Sequence, residues 1–173
     1  MSQNTSHLQS NPSSQAKPGQ YLSFMLKSQA YGVPIGTVRE INRVADITPV
    51  PQTPHFVAGV MNLRGKVIPV VDLRLKFDLE AAPHTRNTCI IVIEGDSGQV
   101  GMIVDAVTGV IDLGAQQIEP APVMGDETRM SFVLGMGKIE SNVVILVDIV
   151  RALSKEQLQG LKDIAKTGES RAA

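Results

Sequence analysis

The sequence predicts an all-β protein built as two related small barrels and closed by one C-terminal helix. Three observations carry that expectation. From Tyr21 onward the chain is a series of short runs rich in Val, Ile and Leu, separated by Gly, Asn, Asp and Ser. Helical spacing is clear only at the end, in Leu153, Leu158, Leu161 and Ile164. The chain also repeats itself. "GVMNLRGKVIPVVDL" (59–73) sets over "GMGKIESNVVILVDI" (135–149), with Gly59 on Gly135, Val67 on Val143, Val71 on Val147 and Asp72 on Asp148. "GVPIGTVREI" (32–41) sets over "GMIVDAVTGV" (101–110), with Gly32 on Gly101 and Val38 on Val107. The offsets, 76 and 69, differ by the extra length of 111–134 over 42–58, so one loop insertion reconciles both. The rival reading is that buried hairpins resemble one another through composition alone.

The elements follow in order. Residues 1–20 are rich in Ser, Gln, Asn and Pro, hold one branched apolar residue, Leu8, and are expected to form a disordered tail. "YLSFMLK" alternates Leu22, Phe24 and Leu26 against Tyr21, Ser23 and Lys27, a half-buried strand. A turn around 27–29 leads to the strand "QAYGVPI", and "VREINRVADITPV" is β-branched and polar by turns. "TPHFVAG" predicts one helical turn, with Thr53 as cap and Pro54 at the first position. Residues 59–73 read as a hairpin with apolar arms and Asn62, Arg64, Gly65 and Lys66 at its tip. "DLRLKF" is compact and turns helically. "NTCIIVIEG" is a buried strand, "QVGMIVDAVTGVIDL" carries two strands around Asp105, and "SFVLGMGKI" with "NVVILVDIV" makes a second hairpin. Its tip, Lys138, Glu140, Ser141 and Asn142, differs from the first where the frames agree. Ser154 with Gln157 is a capping box that opens the last helix.

Composition excludes several classes. At 173 residues the chain has the size of about one domain, and 43% hydrophobic residues supply a real core. Lys plus Arg number 16 against 17 Asp plus Glu, which argues against nucleic acid and against an anionic membrane surface. Aromatics at 3% give no base-stacking platform. The single Cys89 excludes an internal disulfide and fits a reducing compartment. Aliphatic runs such as 90–93 fall far short of the roughly 18 residues of a membrane span. No signal peptide is seen, so a cytosolic protein is expected.

Catalytic and metal readings are weak. "EGDSGQ" holds G-D-S-G, the string around the serine of trypsin-like proteases, but His55 and His84 stand in other settings than that chemistry needs. Gly, Asp and Ser are also ordinary turn residues between "IIVIE" and "QVGMIV". No second glycine-rich box or phosphoacceptor helix accompanies them, which argues against a kinase. Three His and one Cys lack ligand spacing. Asp72 and Asp148, at matched strand ends, are read as structural groups that accept from nearby backbone N–H. Cys89 and the methionines at 25, 61, 102, 124, 130 and 136 are read as core residues.

The unbroken run G-V-M-N-L-R-G-K-V-I-P-V-V-D-L-R, Gly59 to Arg74, with "YGVPIGTVREI" and "GMIVDAV", resembles the CheW family of bacterial chemotaxis. The resemblance spans about Tyr21 to Val150, and the Asn/Ser/Gln/Pro tail lies outside it. It implies two SH3-like five-stranded barrels, with residues 1–20 as tail, 21–152 as the CheW-like unit of two intertwined halves, and 153–173 as C-terminal helix and tail. It implies a non-enzymatic adaptor without a cofactor, in the cytoplasm and recruited to membrane receptor arrays. The partners would be the signalling tip of transmembrane chemoreceptors and the regulatory domain of the histidine kinase CheA, with no nucleic acid and no membrane insertion. By the same resemblance Val38, Glu40, Gly59, Asn62, Arg64 and Gly65 belong to the receptor-facing region. A β-barrel module that binds a peptide or small ligand in another pathway remains the alternative.

Overall fold

A computed structural model describes residues 16–44, 46–80, 82–95, 98–121, 132–153 and 155–171. Eleven strands and three helices are described: β1 (Gly19–Leu26), β2 (Gln29–Pro34), β3 (Val38–Arg43), β4 (Val57–Leu63), β5 (Lys66–Asp72), α1 (Leu73–Lys76), β6 (Cys89–Gly95), β7 (Gly98–Val104), β8 (Ala106–Leu113), β9 (Ile118–Glu119), β10 (Val133–Ile139), β11 (Asn142–Val147), α2 (Ile149–Ala152) and α3 (Lys155–Arg171). Among the described residues no helix is long and apolar enough to cross a membrane.

The strands form two sheets, β3-β6-β7-β5-β4 and β8-β1-β2-β11-β10-β9. Under the repeat seen in the sequence, β3 corresponds to β8, β4 to β10 and β5 to β11, and the hairpin β1–β2 corresponds to β6–β7. The hairpins have changed places. Barrel one takes β6–β7 from the second repeat, and barrel two takes β1–β2 from the first. The registers keep both offsets. In the parallel pair β5–β7, Val70 faces Gly101; in β11–β2, Leu146 faces Gly32. A Cβ on Gly101 would lie 2.9 Å from Ile90 and one on Gly32 3.1 Å from Leu146, so both glycines admit a close neighbour. The chain is thus all-β, as two five-stranded barrels with a short extra strand β9 and a terminal helix.

Strand burial explains the residue choice. β6 reads "CIIVI" because both its faces are covered: Ile91 and Ile93 enter a cluster between the barrels, and Ile90 and Val92 fill barrel one. β1 sends Leu22, Phe24 and Leu26 into that shared cluster, with Met102 and Val104 of β7, and sends Tyr21 into barrel two beside Leu113 and Leu146. Each buried Leu or Phe of this kind contributes roughly 1.5–3 kcal/mol, so the cluster between the barrels holds them as one body.

Some expectations change. "TPHF" is a tight turn in which Val57 N–H donates to the Pro54 carbonyl, and the Thr53 hydroxyl donates back to Val50 rather than capping a helix. The chain stays extended because β4 begins at Val57, and Asp72 N–H donates to the Phe56 carbonyl. Within the tail expected over 1–20, Gly19 and Gln20 lie in β1, and Ala16 N–H donates to Leu134 at 3.0 Å. Residues 1–15, Ser154 of the capping box, and Met124 and Met130 lie outside the described residues. Met61 and Met102 are core, whereas Met136 is half-exposed. Cys89 is half-buried against the shared cluster.

A buried cation ties the barrels together. Arg74 is 1% exposed. Its Nε and Nη2 donate to the two oxygens of Asp72 at 3.1 and 3.0 Å, and Nη1 donates to Asp105 at 3.1 Å and to the Ala82 carbonyl at 2.9 Å. The hydrogen bond with Asp72, opposed by burial, raises the guanidinium above its ordinary pKa. Asp105 in turn accepts from Lys27 N–H in the β1–β2 turn at 2.6 Å. Asp72 also accepts from Arg74 N–H, and its repeat mate Asp148 accepts from Arg151 N–H, the backbone-bonding role expected of both.

Candidate functional site

The hairpin tip at 62–66 is a two-residue turn. Leu63 pairs with Lys66, and Arg64 and Gly65 stand at φ 54° and 86°. Both torsions are left-handed, as such a tight hairpin requires, and Gly65 meets the demand without a Cβ penalty. Asn62 closes the turn: its Oδ1 accepts from Gly65 N–H at 2.8 Å. The result is a short rigid tip with Asn62, Arg64, Gly65 and Lys66 exposed.

β3 and β4 lie at opposite edges of their sheet, and closure of barrel one brings them together. Arg64 Nη1 then reaches Glu40 Oε2 at 2.9 Å, with the Arg64 side chain 79% exposed and that of Glu40 19%. Asn42 donates to the other oxygen of Glu40 at 2.7 Å. The carboxylate is therefore held from two sides, and the guanidinium is aimed rather than waving. An exposed ion pair of this type adds little to stability, about 0–1 kcal/mol, so its value lies in orientation. Beside it Arg39 pairs with Glu94 across β3 and β6.

The expected site residues divide by role. Glu40, Asn62, Arg64 and Gly65 come together at one corner of barrel one. Val38 heads the same strand, half-buried against the cluster between the barrels. Gly59 is buried. A Cβ there would lie 2.1 Å from the Thr48 carbonyl oxygen, which belongs to a segment bridged to β4 at Val60. With φ at 143°, Gly59 forms a bulge under the tip and supports it without facing solvent.

Two features escaped sequence reasoning. Asn42 follows Glu40 by two residues and so shares its strand face, a signal present in the alternation. Ile41 and Val110 are 43% and 53% exposed and stand 69 residues apart, at matching places on β3 and β8. Ile41 stands on the face of β3 opposite to Glu40 and Asn42, and on barrel two Glu40 has Gly109 for its mate and Arg64 has Glu140. Barrel two carries a different pair, Lys138 with Glu119 at 2.7 Å.

The G-D-S-G string joins β6 to β7: Gly95 pairs with Gly98 at the hairpin end, and Asp96 and Ser97 lie outside the described residues. Among the described residues no three His, Cys, Asp or Glu are grouped as for a metal. The corner at Arg64 presents directed donors beside a fixed carboxylate, a chemistry suited to polar recognition.

Comparison with known proteins agrees with this architecture. The model of the CheW-like domain matches residues 20–157. The chemotaxis protein CheW of Klebsiella aerogenes is 36% identical over 148 residues, covering 86% of this chain and 89% of that one. The protein of the same name from Rhizobium meliloti is 35% identical over 136 residues, covering 79% and 88%. Among solved structures, the scaffolding protein TtCheW from Thermoanaerobacter tengcongensis superposes with a TM-score of 0.69 at 35% identity, covering 76% of this chain and 90% of that one. With the family model matching residues 20–157 and about a third of the sequence shared with these relatives over most of its length, the chain belongs to the CheW-like family.

Proposed function

We propose that this protein is a non-enzymatic scaffold of bacterial chemotaxis that couples the signalling tips of chemoreceptors to the regulatory domain of the histidine kinase CheA. The relatives named as chemotaxis and scaffolding proteins support the pathway. The observation that carries the receptor contact is the Arg64–Glu40–Asn42 chain, an exposed guanidinium held by a fixed carboxylate at a rigid tip. In this reading Arg64 and Asn62 meet the receptor, Glu40 and Val38 shape the floor beside them, Gly65 sets the turn, and Gly59 holds the tip in place.

A receptor tip is a helical hairpin, and its exposed carboxylates and carbonyl ends fit a guanidinium that presents several donors. The kinase contacts a separate face, so one scaffold holds both at once in the cytoplasm at receptor arrays. The test is binding of the full chain to a receptor-tip fragment and to the kinase regulatory domain, each measured for wild type and Arg64→Glu. The reading expects the receptor affinity to fall by about thirtyfold, roughly 2 kcal/mol, with kinase affinity kept. Equal receptor binding by both proteins would remove the site assignment.

A further inference from the structure

The two barrels share one frame but differ in what covers one outer face. On barrel one, Phe56, Val71 and Leu153 form a cluster closed by Leu161 of α3, with Ile164 and Val100 packed at its side. Phe56 is 5% exposed and Leu161 3%. Lys76 Nζ sits 4.8 Å from the centre of the Phe56 ring and donates to Gln157 of α3 at 3.3 Å. A seat for one amphipathic helix is therefore built on barrel one, and α3 fills it.

The same seat exists on barrel two. Phe132 is the mate of Phe56, Tyr31 of Val100, Ile145 of Pro69 and Phe77 of Leu153, each at the offsets of 76 or 69. The backbone agrees: Asp72 N–H donates to Phe56 at 2.7 Å, and Asp148 N–H to Phe132 at 2.8 Å. The connections cross symmetrically as well, since Phe77 follows β5 of barrel one and stacks on Phe132, 5.0 Å between ring centres. Among the described residues, only the helix has no counterpart. After Phe77 the chain turns away through Asp78, at φ 60°, toward β6. What remains is a groove of about 460 Å³ lined by Tyr31, Phe77, Phe132, Met136 and Ile145, with Lys76 and Asp78 at its edge. Those five apolar residues are each half-exposed, where Phe56 is buried. Four of the six Phe and Tyr residues of the chain gather in and beside this groove as a ladder, Phe24–Tyr31–Phe77–Phe132.

We infer that this groove on barrel two is a docking seat for one amphipathic helix of another protein, equivalent to the seat that α3 fills on barrel one. The occupant is a helix because the mate of this surface holds one. It comes from another protein because the chain's own α3 is already seated. Its recognised face carries apolar side chains at i, i+3 and i+4, and Met136 supplies an adaptable wall for them. The inference is independent of the Arg64 corner.

The test uses the full chain with methyl and aromatic NMR and a synthetic stapled helical peptide bearing leucines at i, i+3, i+4 and i+7. One peptide is expected to bind, with shifts at Tyr31, Phe132, Met136 and Ile145. Met136→Glu is expected to weaken binding at least about tenfold at an unchanged melting temperature, and Phe132→Ala gives a second reading by shape alone. Leu161→Glu, which lifts α3 from its seat, is expected to raise the stoichiometry to two. No binding, shifts confined to Phe56 and Leu161, or full affinity in both Met136→Glu and Phe132→Ala would overturn the inference. A wild-type dimer that Met136→Glu dissociates would overturn it too, by assigning the face to a second copy.

Discussion

Arg64 and Glu140 stand 76 residues apart at the tips of equivalent hairpins, and both hold φ at 54°. A left-handed backbone costs a residue with a Cβ about 1–2 kcal/mol, so barrel geometry imposes the strain and the side chain is chosen for another reason. At Arg64 that reason is visible in the pair with Glu40.

Replacing the strained residue by glycine separates shape from chemistry. Glu140→Gly is expected to raise stability by about 0.5–1 kcal/mol, as relief of strain exceeds the added chain entropy. Arg64→Gly should gain less, because the Glu40 pair goes with it, and should still lose receptor binding. Thermal melts beside receptor-tip titrations check both, and a destabilised Glu140→Gly would contradict the strain reading.

The charge swap tests whether the pair or the outward guanidinium matters. Arg64→Glu with Glu40→Arg keeps a tip–strand pair, so stability should stay within about 0.5 kcal/mol of wild type. Receptor affinity should remain as low as in Arg64→Glu alone. Recovery of binding in the double variant would assign recognition to the pair itself.

Gly59 and Gly65 should respond differently to alanine. Gly65→Ala enters open space at φ 86° and should cost about 1 kcal/mol. Gly59→Ala places a Cβ 2.1 Å from the Thr48 carbonyl oxygen and should cost at least about 2 kcal/mol, with loss of the bridge between Thr48 and Val60. Hydrogen exchange at Val60 N–H, which donates to Thr48, reports that bridge directly.

Arg74→Met should be among the most damaging single changes. It leaves Asp72 and Asp105 facing each other's site without a cation, at a cost of about 3–5 kcal/mol. Arg74→Lys keeps the charge and loses the fork, for about 1.5–3 kcal/mol. The urea midpoint measures both.

Alkaline stability should fall through the tyrosines. Burial raises the phenols of Tyr31 and Tyr21 above their ordinary value. Below the unfolded pKa both states hold the proton and the contribution is whole; it is lost as pH climbs from about 10 through the higher folded values. Tyr31→Phe should flatten the decline of melting temperature over roughly pH 9 to 12, with phenolate absorbance as the parallel readout.

Much of this fold was legible because its signals are local. Alternation in 21–27, the apolar run 90–93 and the paired tips each name an element within ten residues. The helical turn at Thr53–Phe56 failed because capping residues also serve turns, and the start of β4 decided between them. The exchange of hairpins left no trace in the repeat, whose offsets are identical whichever barrel each hairpin joins, and only the family resemblance implied intertwined halves. At the candidate site, the tip position of Asn62, Arg64 and Gly65 was readable from the hairpin pattern, but pattern alone left Arg64 a solvated turn cation, and the resemblance supplied the receptor-facing role of all six residues. The contact between Glu40 and Arg64 was not readable, since only barrel closure joins two opposite sheet edges. The burial of Arg74 was not readable, because the partners of its charge include Asp105, 31 residues away.

The exchanged hairpins also set the order in which the protein can be made. Barrel one stays open until β7 ends at Val104, although most of its other strands precede residue 73. Barrel two waits longer, for its early strand β2 pairs with β11 across a loop that joins Gly32 to Leu146. Closing loops of that length makes folding slow relative to a helical protein of equal size. Neither repeat has a stable state of its own, since each holds the hairpin the other lacks. A growing chain therefore gains little until it is nearly complete, and then both barrels close in one cooperative event. Whatever surfaces the two barrels present therefore form and are lost together, sharing one stability.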